Sequence, residues 1–205
     1  MPAVADAVGA PTTSVYWHFR TRDDLVAAVA ERVTRDLYAS LPPVAHEDSW
    51  EDEFFNYFTA LRRHIHDHPA FLELFTPHSR TLLAYPAVDS LITKRLEGEL
   101  GVLVRAGASP QDAYRIYTIF SLYVRGFVTI ELGASGDDDG GAARAVTVAR
   151  HLALDPAEYP VMSAIPDIAA LAMGHADDVF QAGLRILVNG TKEELQLART
   201  ADARL

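Results

Sequence analysis

The most constraining feature of this chain is a run of helical-period apolar residues that leaves almost no polar face. Ser109-Pro110-Gln111-Asp112 opens it with a capping hydroxyl, a proline at the first helical position and an acid in the first turn. Ile116, Ile119, Phe120, Tyr123, Phe127 and Ile130 then mark one side, and Tyr117, Leu122, Val124 and Val128 the other. A helix that is apolar nearly all round is buried on more than one side. In a chain of 205 residues, this predicts a core helix of an all-helical domain that also meets a partner chain.

The rest of the sequence also reads as helix. Val4, Ala5 and Val8 form a short apolar stripe ending at Gly9, and Pro11-Thr12 suits the first turn of a second short helix. Thr21 caps a third, with Asp24 three residues on, and Leu25, Val29, Val33 and Leu37 recur at helical spacing. Leu41-Pro42-Pro43 ends it, because proline cannot continue the hydrogen-bond ladder. The loop 42–48 is the expected boundary between a unit at residues 1–41 and a larger one at 48–205. Ser49 caps the next helix, whose first turn holds Glu51, Asp52 and Glu53 and whose apolar face runs Phe54, Phe58, Leu61 and Ile65. His68-Pro69 breaks it, and a short helix is expected over 70–75. Pro86 opens a helix to about Arg105, with Val88, Leu91, Ile92, Leu96, Leu100 and Leu103 on its apolar side. Residues 133–141, rich in glycine and aspartate, read as a loop. A final helix starts near Asp177, carries Val179, Phe180, Leu184, Leu187 and Val188, and is expected to bend at Gly190. No segment alternates with the period of a strand.

Composition narrows the function classes. Hydrophobic residues make up 49% and charged residues 22%, which argues for a folded globular chain. The absence of cysteine excludes disulfides, thiolate metal sites and cysteine nucleophiles. No apolar run spans a bilayer and no signal peptide is evident, so no membrane partner is expected and the cytoplasm is the default location. Nucleophile elbows, phosphate-binding loops and dinucleotide fingerprints are missing, so neither catalysis nor a cofactor is expected. His64 and His68 share a helix face, but a third ligand is lacking and no metal site is expected. Asp137, Asp138 and Asp139 lack the alternating spacing of a calcium loop.

The informative segment is residues 4–25, V-A-D-A-V-G-A-P-T-T-S-V-Y-W-H-F-R-T-R-D-D-L. It describes helix, glycine turn, short helix, aromatic cluster and capped helix. Thr12, Thr13 and Ser14 bring small hydroxyls that approach base edges or phosphates without steric cost. Tyr16, Trp17 and His18 bring ring donors suited to phosphate oxygens, and Arg22 adds a charge at a helix N-terminus. Electrostatics argue the other way. The net charge is −10, and residues 1–40 hold four arginines (Arg20, Arg22, Arg32, Arg35) against five acids (Asp6, Asp23, Asp24, Glu31, Asp36).

This segment resembles the TetR family of transcription regulators. The glycine before the recognition helix, the Tyr16-Trp17-His18 run, Phe19, and Arg20-Thr21-Arg22 followed by an acid and Leu25 all fit. Val179-Phe180-Gln181-Ala182-Gly183-Leu184 followed by Gly190 is similar to the last helix of such proteins. The resemblance implies an all-α protein with an N-terminal helix-turn-helix and a helical-bundle domain for ligand binding and dimerisation. It places Thr12, Thr13 and Ser14 in the major groove of a palindromic duplex operator. Tyr16, Trp17, His18 and Arg22 would hold phosphates, while Val15 and Phe19 pack inward. The family has another helix before the position of residue 1. Without it Val4, Val8 and Val15 lack a partner, and the chain as it stands is expected to bind DNA weakly.

A pocket between the central helices is expected to take a small hydrophobic or aromatic effector, lined by Phe58, Leu61, His64, Phe75, Leu96, Tyr117, Phe120 and Tyr123. Helices 109–132 and 177–198 of two chains would form a four-helix bundle, with Val124, Val128, Phe180, Leu184 and Leu187 near its seam. The whole then reads as a homodimeric repressor released from its operator by the effector. The competing reading is a dimeric small-molecule-binding or protein-interaction module without DNA binding.

Overall fold

The computed structural model describes residues 1–44, 49–69, 71, 85–135, 149–150, 153–165 and 176–202. Regular structure among these residues is helical throughout: α1 (Pro2–Ala7), α2 (Thr12–His18), α3 (Arg22–Ser40), α4 (Trp50–Asp67), α5 (Pro86–Arg105), α6 (Pro110–Ser135), α7 (Pro160–Ser163) and α8 (Ala176–Asp202). The expected helix at 70–75 (apart from Phe71), Phe75 and Asp137–Asp139 lie outside the described residues.

Local chemistry sets the helix ends. Gly9 turns the chain between α1 and α2 at a φ of +65°, a left-handed conformation that residues with a Cβ resist. Thr21 and Asp24 form a reciprocal capping box at the start of α3, with bonds of 2.9 and 3.0 Å. Ser49 and Ser109 each accept an amide hydrogen from an aspartate three residues on and donate to its carboxylate at 2.7 Å. One expectation changes: α6 continues to Ser135, so residues 133–135 are helix rather than loop; α8 continues past Gly190 to Asp202.

Helix α4 lies against α6 and α8, and α5 lies against α3 and α6. Aromatic rings make the α4–α6 seam: Phe120 stands 5.3 Å from Phe54 and 5.2 Å from Phe58, centroid to centroid. All three are fully buried, each contributing roughly 1.5–3 kcal/mol of transfer free energy. The α6–α8 seam is closed by Val124, Val128, Phe180 and Leu184, which have no exposed surface in the single chain. These four are therefore corrected from seam residues of a dimer to internal packing: atoms already covered by their own chain have no face to offer a second copy. Arg62 ties three helices together. It donates to Glu131 at 2.6 and 3.0 Å and to Asp177 at 2.5 Å, and lies 4.6 Å over the Phe180 ring.

Tyr123 completes this junction. Its hydroxyl donates to the Phe180 carbonyl at 2.9 Å, and the ring fills the space over Gly183 that a Cβ would need. Replacement Gly183→Ala should cost about 1–3 kcal/mol, as overpacking does elsewhere. Urea unfolding followed by circular dichroism measures it, and an unchanged midpoint would mean that α6 and α8 are less tightly fitted than described.

Candidate functional site

Among the described residues, two regions are candidates for a functional site: the α1–α2 head and a buried polar cluster among α3, α4, α5 and α6. In the head, α2 is seven residues long and anchors itself through one buried residue, Val15. The rest faces outward. Trp17 is 81% exposed and Tyr16 50%; Thr13, Ser14, His18 and Arg22 are exposed, and Thr12 and Phe19 are half-buried. The expected reading residues thus share one exposed helix and the cap that follows it. Trp17 meets His18 edge-on at 4.8 Å. Val4 and Val8 are exposed, as expected for an apolar stripe without a cover, whereas Val15 is covered.

Part of the charge of this region is paired off in three dimensions, leaving its balance unchanged. Arg32 pairs with Asp36 and Arg35 with Glu31 along the surface of α3, and Asp24 serves the capping box. Helix α2 contains no acid, and among the described residues Arg20 and Arg22 pair with no carboxylate.

The buried cluster is built from α5 outward. Val88, Ile92, Arg95, Glu99, Val102 and Leu103 follow helical spacing, so the Arg95–Glu99 pair occupies the stripe that faces the core. Glu99 has no exposed side-chain surface, and Arg95 Nη2 stands 2.6 Å from its Oε1. The guanidinium lies 4.9 Å over the Tyr57 ring, and the Tyr57 hydroxyl stands 3.2 Å from that of Tyr117. Glu53 is buried as well. Burial pushes the Glu99 carboxyl up to about 7; Arg95 opposes the shift and Glu53 adds to it. Burial likewise raises Tyr38, Tyr57 and Tyr117, so all three remain neutral phenols able to donate.

Of the expected pocket residues, Phe58, Tyr117 and Phe120 come together around this cluster, with Phe58 5.7 Å from Tyr117. Leu61 is buried in the same core and Leu96 is half-buried. His64 sits apart, its Nδ1 2.8 Å from the Ser40 hydroxyl at the end of α3, its pKa lowered by burial and by His68. Tyr123 belongs to the α6–α8 junction, where its ring stacks on Phe180 and its hydroxyl is already engaged. Arg95, Glu99, Tyr38 and Tyr57 were not singled out as site residues by the sequence, and Glu53 was read only as a first-turn acid, although a charge pair on an apolar helical stripe is a readable signal. Among the described residues, no three acids or histidines gather as a metal site and no helix is long and apolar enough to cross a membrane.

A groove between α6 and α8 is lined by Ile116, Ile119, Ile186, Leu187, Thr191 and Glu194. Leu187 is thus the one expected seam residue that reaches this surface. Ile119, Leu122, Ile130 and Ile186 leave 46–75% of their area exposed.

This helical arrangement is shared with known proteins. A family model described as "Tetracyclin repressor-like, C-terminal domain" matches residues 42–195. The chain belongs to the TetR family. A protein of Mycobacterium tuberculosis named "HTH-type transcriptional repressor" is 29% identical over 163 residues, covering 80% of this chain. The chain spans 60% of that relative's length. The tetracycline repressor protein class A from transposon 1721 of Escherichia coli is 24% identical over 199 residues, covering 97% of this chain and 83% of that protein. Among solved structures, a TetR regulator of Streptomyces coelicolor, SCO7222, superposes with a TM-score of 0.67 at 20% identity, over 94% of this chain and 86% of that one. The TetR-family protein ActR of the same organism, solved in complex with actinorhodin, also reaches 0.67, at 18% identity over 95% and 87%. These likenesses show a TetR fold.

The raised pKa of Glu99 has a definite sign in stability. A carboxyl shifted upward from 4.5 favours the folded state while protonated; that contribution is complete below about 4.5 and is lost as the pH rises to about 7. Replacement Glu99→Gln should therefore remove a declining slope of up to about 1.4 kcal/mol per pH unit across that window. Denaturant unfolding of both proteins across the window isolates the difference; parallel stability curves would show that Glu99 does not titrate there.

Proposed function

We propose that this chain is a ligand-responsive transcription regulator, with the α1–α2 head as its operator-reading surface and the α3–α6 core as its sensor. The observation that carries the reading is the exposure of Tyr16, Trp17, Thr13 and Ser14 on one short helix after a tight glycine turn. Rings of that size on a monomeric surface without a partner would be an unexplained exposure. Thr12, Thr13 and Ser14 read base edges; Tyr16, Trp17, His18 and Arg22 hold phosphates. In this reading residues 1–41 form the DNA-binding unit with its connecting helix, and 48–205 the sensing and dimerising unit.

Dimerisation places two α2 helices about one turn of DNA apart, roughly 34–36 Å, on a palindromic site. The surface best suited to it is the exposed apolar row Ile119, Leu122 and Ile186 beside Leu187, not the buried residues beneath. The effector is a small aromatic molecule, because Phe58, Phe120, Tyr57 and Tyr117 surround the cluster. Its polar groups meet the phenols and Glu99. An effector that prefers the conformation with the wrong head spacing lowers DNA affinity through that preference alone.

Selection from a randomised duplex pool tests the DNA reading. The enriched sequence should show two inverted half-sites one helical turn apart. Thr13→Ala should relax preference at one base position per half-site, a change of about 1–3 kcal/mol, whereas Trp17→Ala should weaken all sequences alike. A pool that never enriches speaks for the binding module without DNA. Separately, Ile186→Glu should shift sedimentation from dimer to monomer at micromolar concentration, and an intact dimer would place the interface elsewhere.

A further inference from the structure

A bond from a neighbouring helix fixes which ring nitrogen of His64 carries the hydrogen. The Ser40 hydroxyl stands 2.7 Å from the Leu37 carbonyl and 2.8 Å from His64 Nδ1. A carbonyl oxygen cannot donate, so the single hydroxyl hydrogen belongs to the Leu37 bond. The contact with His64 must then run the other way: Nδ1 carries a hydrogen and donates it to Ser40 Oγ. Burial and the neighbouring His68 lower the His64 pKa, which keeps the ring neutral near pH 7. A neutral imidazole with its hydrogen on Nδ1 has its free lone pair on Nε2. Phe71 stands at right angles to the ring, 5.8 Å away, and limits its rotation.

His68, the C-cap of α4, follows one turn later on the same side of the helix. It is exposed, and its ring centroid stands 4.7 Å from that of His64, the planes inclined at 47°. We propose that His64 Nε2 and His68 bind a borderline divalent cation such as Zn²⁺ or Cu²⁺ at the end of α4, with Ser40 orienting His64. Imidazole nitrogens suit these ions, and metal–nitrogen bonds of about 2.0–2.1 Å bring two ligand nitrogens to about 3 Å apart. Rings with centroids 4.7 Å apart reach that separation. Among the described residues no third acid or histidine joins the pair, so water fills the remaining positions and the affinity is modest. Counting ligands in the sequence stops at two. The structure adds Ser40, which gives His64 the outer hydrogen bond that metal-binding histidines use to fix tautomer and ring orientation. That bond also links the site to the last turn of α3. The inference goes beyond the regulatory reading and does not rest on it.

Cu²⁺ serves as the probe, because pulsed electron paramagnetic resonance counts coordinated imidazoles through their remote nitrogens. With less than one Cu²⁺ per chain, in a non-coordinating buffer near neutral pH, the spectrum should show two. His64→Gln and His68→Gln should each lower that number and weaken binding by more than about tenfold, measured by competition with a chromophoric chelator. His66→Gln, on another side of α4, should leave both readouts unchanged. Ser40→Ala should keep two imidazoles and weaken binding by about tenfold, the loss expected for an outer hydrogen bond and not for two histidines that merely happen to be accessible. A single-imidazole spectrum overturns the proposal, as does a two-imidazole spectrum that survives His64→Gln. Unchanged affinity in Ser40→Ala overturns the orienting role. All four positions are exposed or half-buried, and the spectrum of the unsubstituted chain decides the imidazole number even where a variant fails to fold. Neither DNA nor effector is present, so this result and that of the duplex selection are separate.

Discussion

The seam between α4 and α6 is the constraint from which the remaining packing follows. Phe54, Phe58 and Phe120 interlock there with no exposed surface, fixing the two helices at a distance set by ring thickness. Once α4 and α6 are joined, each presents a further face. α8 closes one side through Phe180 and Leu184, held by Arg62, which reaches from α4 to Glu131 on α6 and Asp177 on α8. α5 closes the other and brings α3 with it through Ala30, Val88, Tyr85 and Ile92. The head therefore hangs on the body through α3, and α3 touches the body mainly where α5 does.

That arrangement explains why charge is tolerated in the core at the α5 side and not at the α8 side. The α6–α8 seam is aliphatic and aromatic, with Arg62 reaching in from α4 to Glu131 and Asp177 and Arg115 meeting Glu194 at its rim. On the α5 side, two buried carboxylates and one guanidinium share a space walled by phenols. Replacing such groups by apolar residues of equal volume is often neutral or stabilising in other proteins. Stability alone is therefore a poor reason for Glu99. The polar centre lies beside α3, where Arg95 also bonds the Pro42 carbonyl just past that helix. The raised pKa of Glu99 expresses the same tension, since a carboxyl near neutrality has no strongly preferred state.

Much of the fold was legible because caps and periodicity agree. Thr21 with Asp24, Ser49 with Asp52 and Ser109 with Asp112 mark helix starts in sequence, and each makes the bonds those residue types favour. The exposed head was legible for a related reason: a seven-residue helix with one inward position leaves little else to bury. The expected dimer seam went astray because hydrophobicity cannot rank two apolar faces of one helix. The side of α6 that its own chain covers draws on both apolar sets read from the sequence, Ile116 and Phe120 from one and Val124 and Val128 from the other. Ile119 and Leu122, read on opposite sides in the sequence, are the ones left exposed, among polar residues. The polar cluster was missed for the opposite reason: reading stripes by their apolar members passes over Arg95 and Glu99, which sit in register with them.

An acidic protein can still present a head compatible with nucleic acid, because charge acts locally at physiological ionic strength. The Debye length there is about 8 Å, so acids on the body beyond the head contribute little at α2. On α3, Glu31 and Asp36 are paired with Arg35 and Arg32, and Asp24 is engaged with the Thr21 amide. What remains near the reading helix is Arg20, Arg22 and the rings of Tyr16, Trp17 and His18 against Asp6, Asp23 and Asp24, whose charge the bond from the Thr21 amide does not cancel. Few full charges imply few counterions released and hence a shallow dependence of affinity on salt. Discrimination on such a surface must come from hydroxyl and ring contacts with bases and sugar–phosphate oxygens, which are short-ranged and demand accurate placement. Weak long-range attraction would thus make the proposed regulator depend on the spacing and tilt of its two heads.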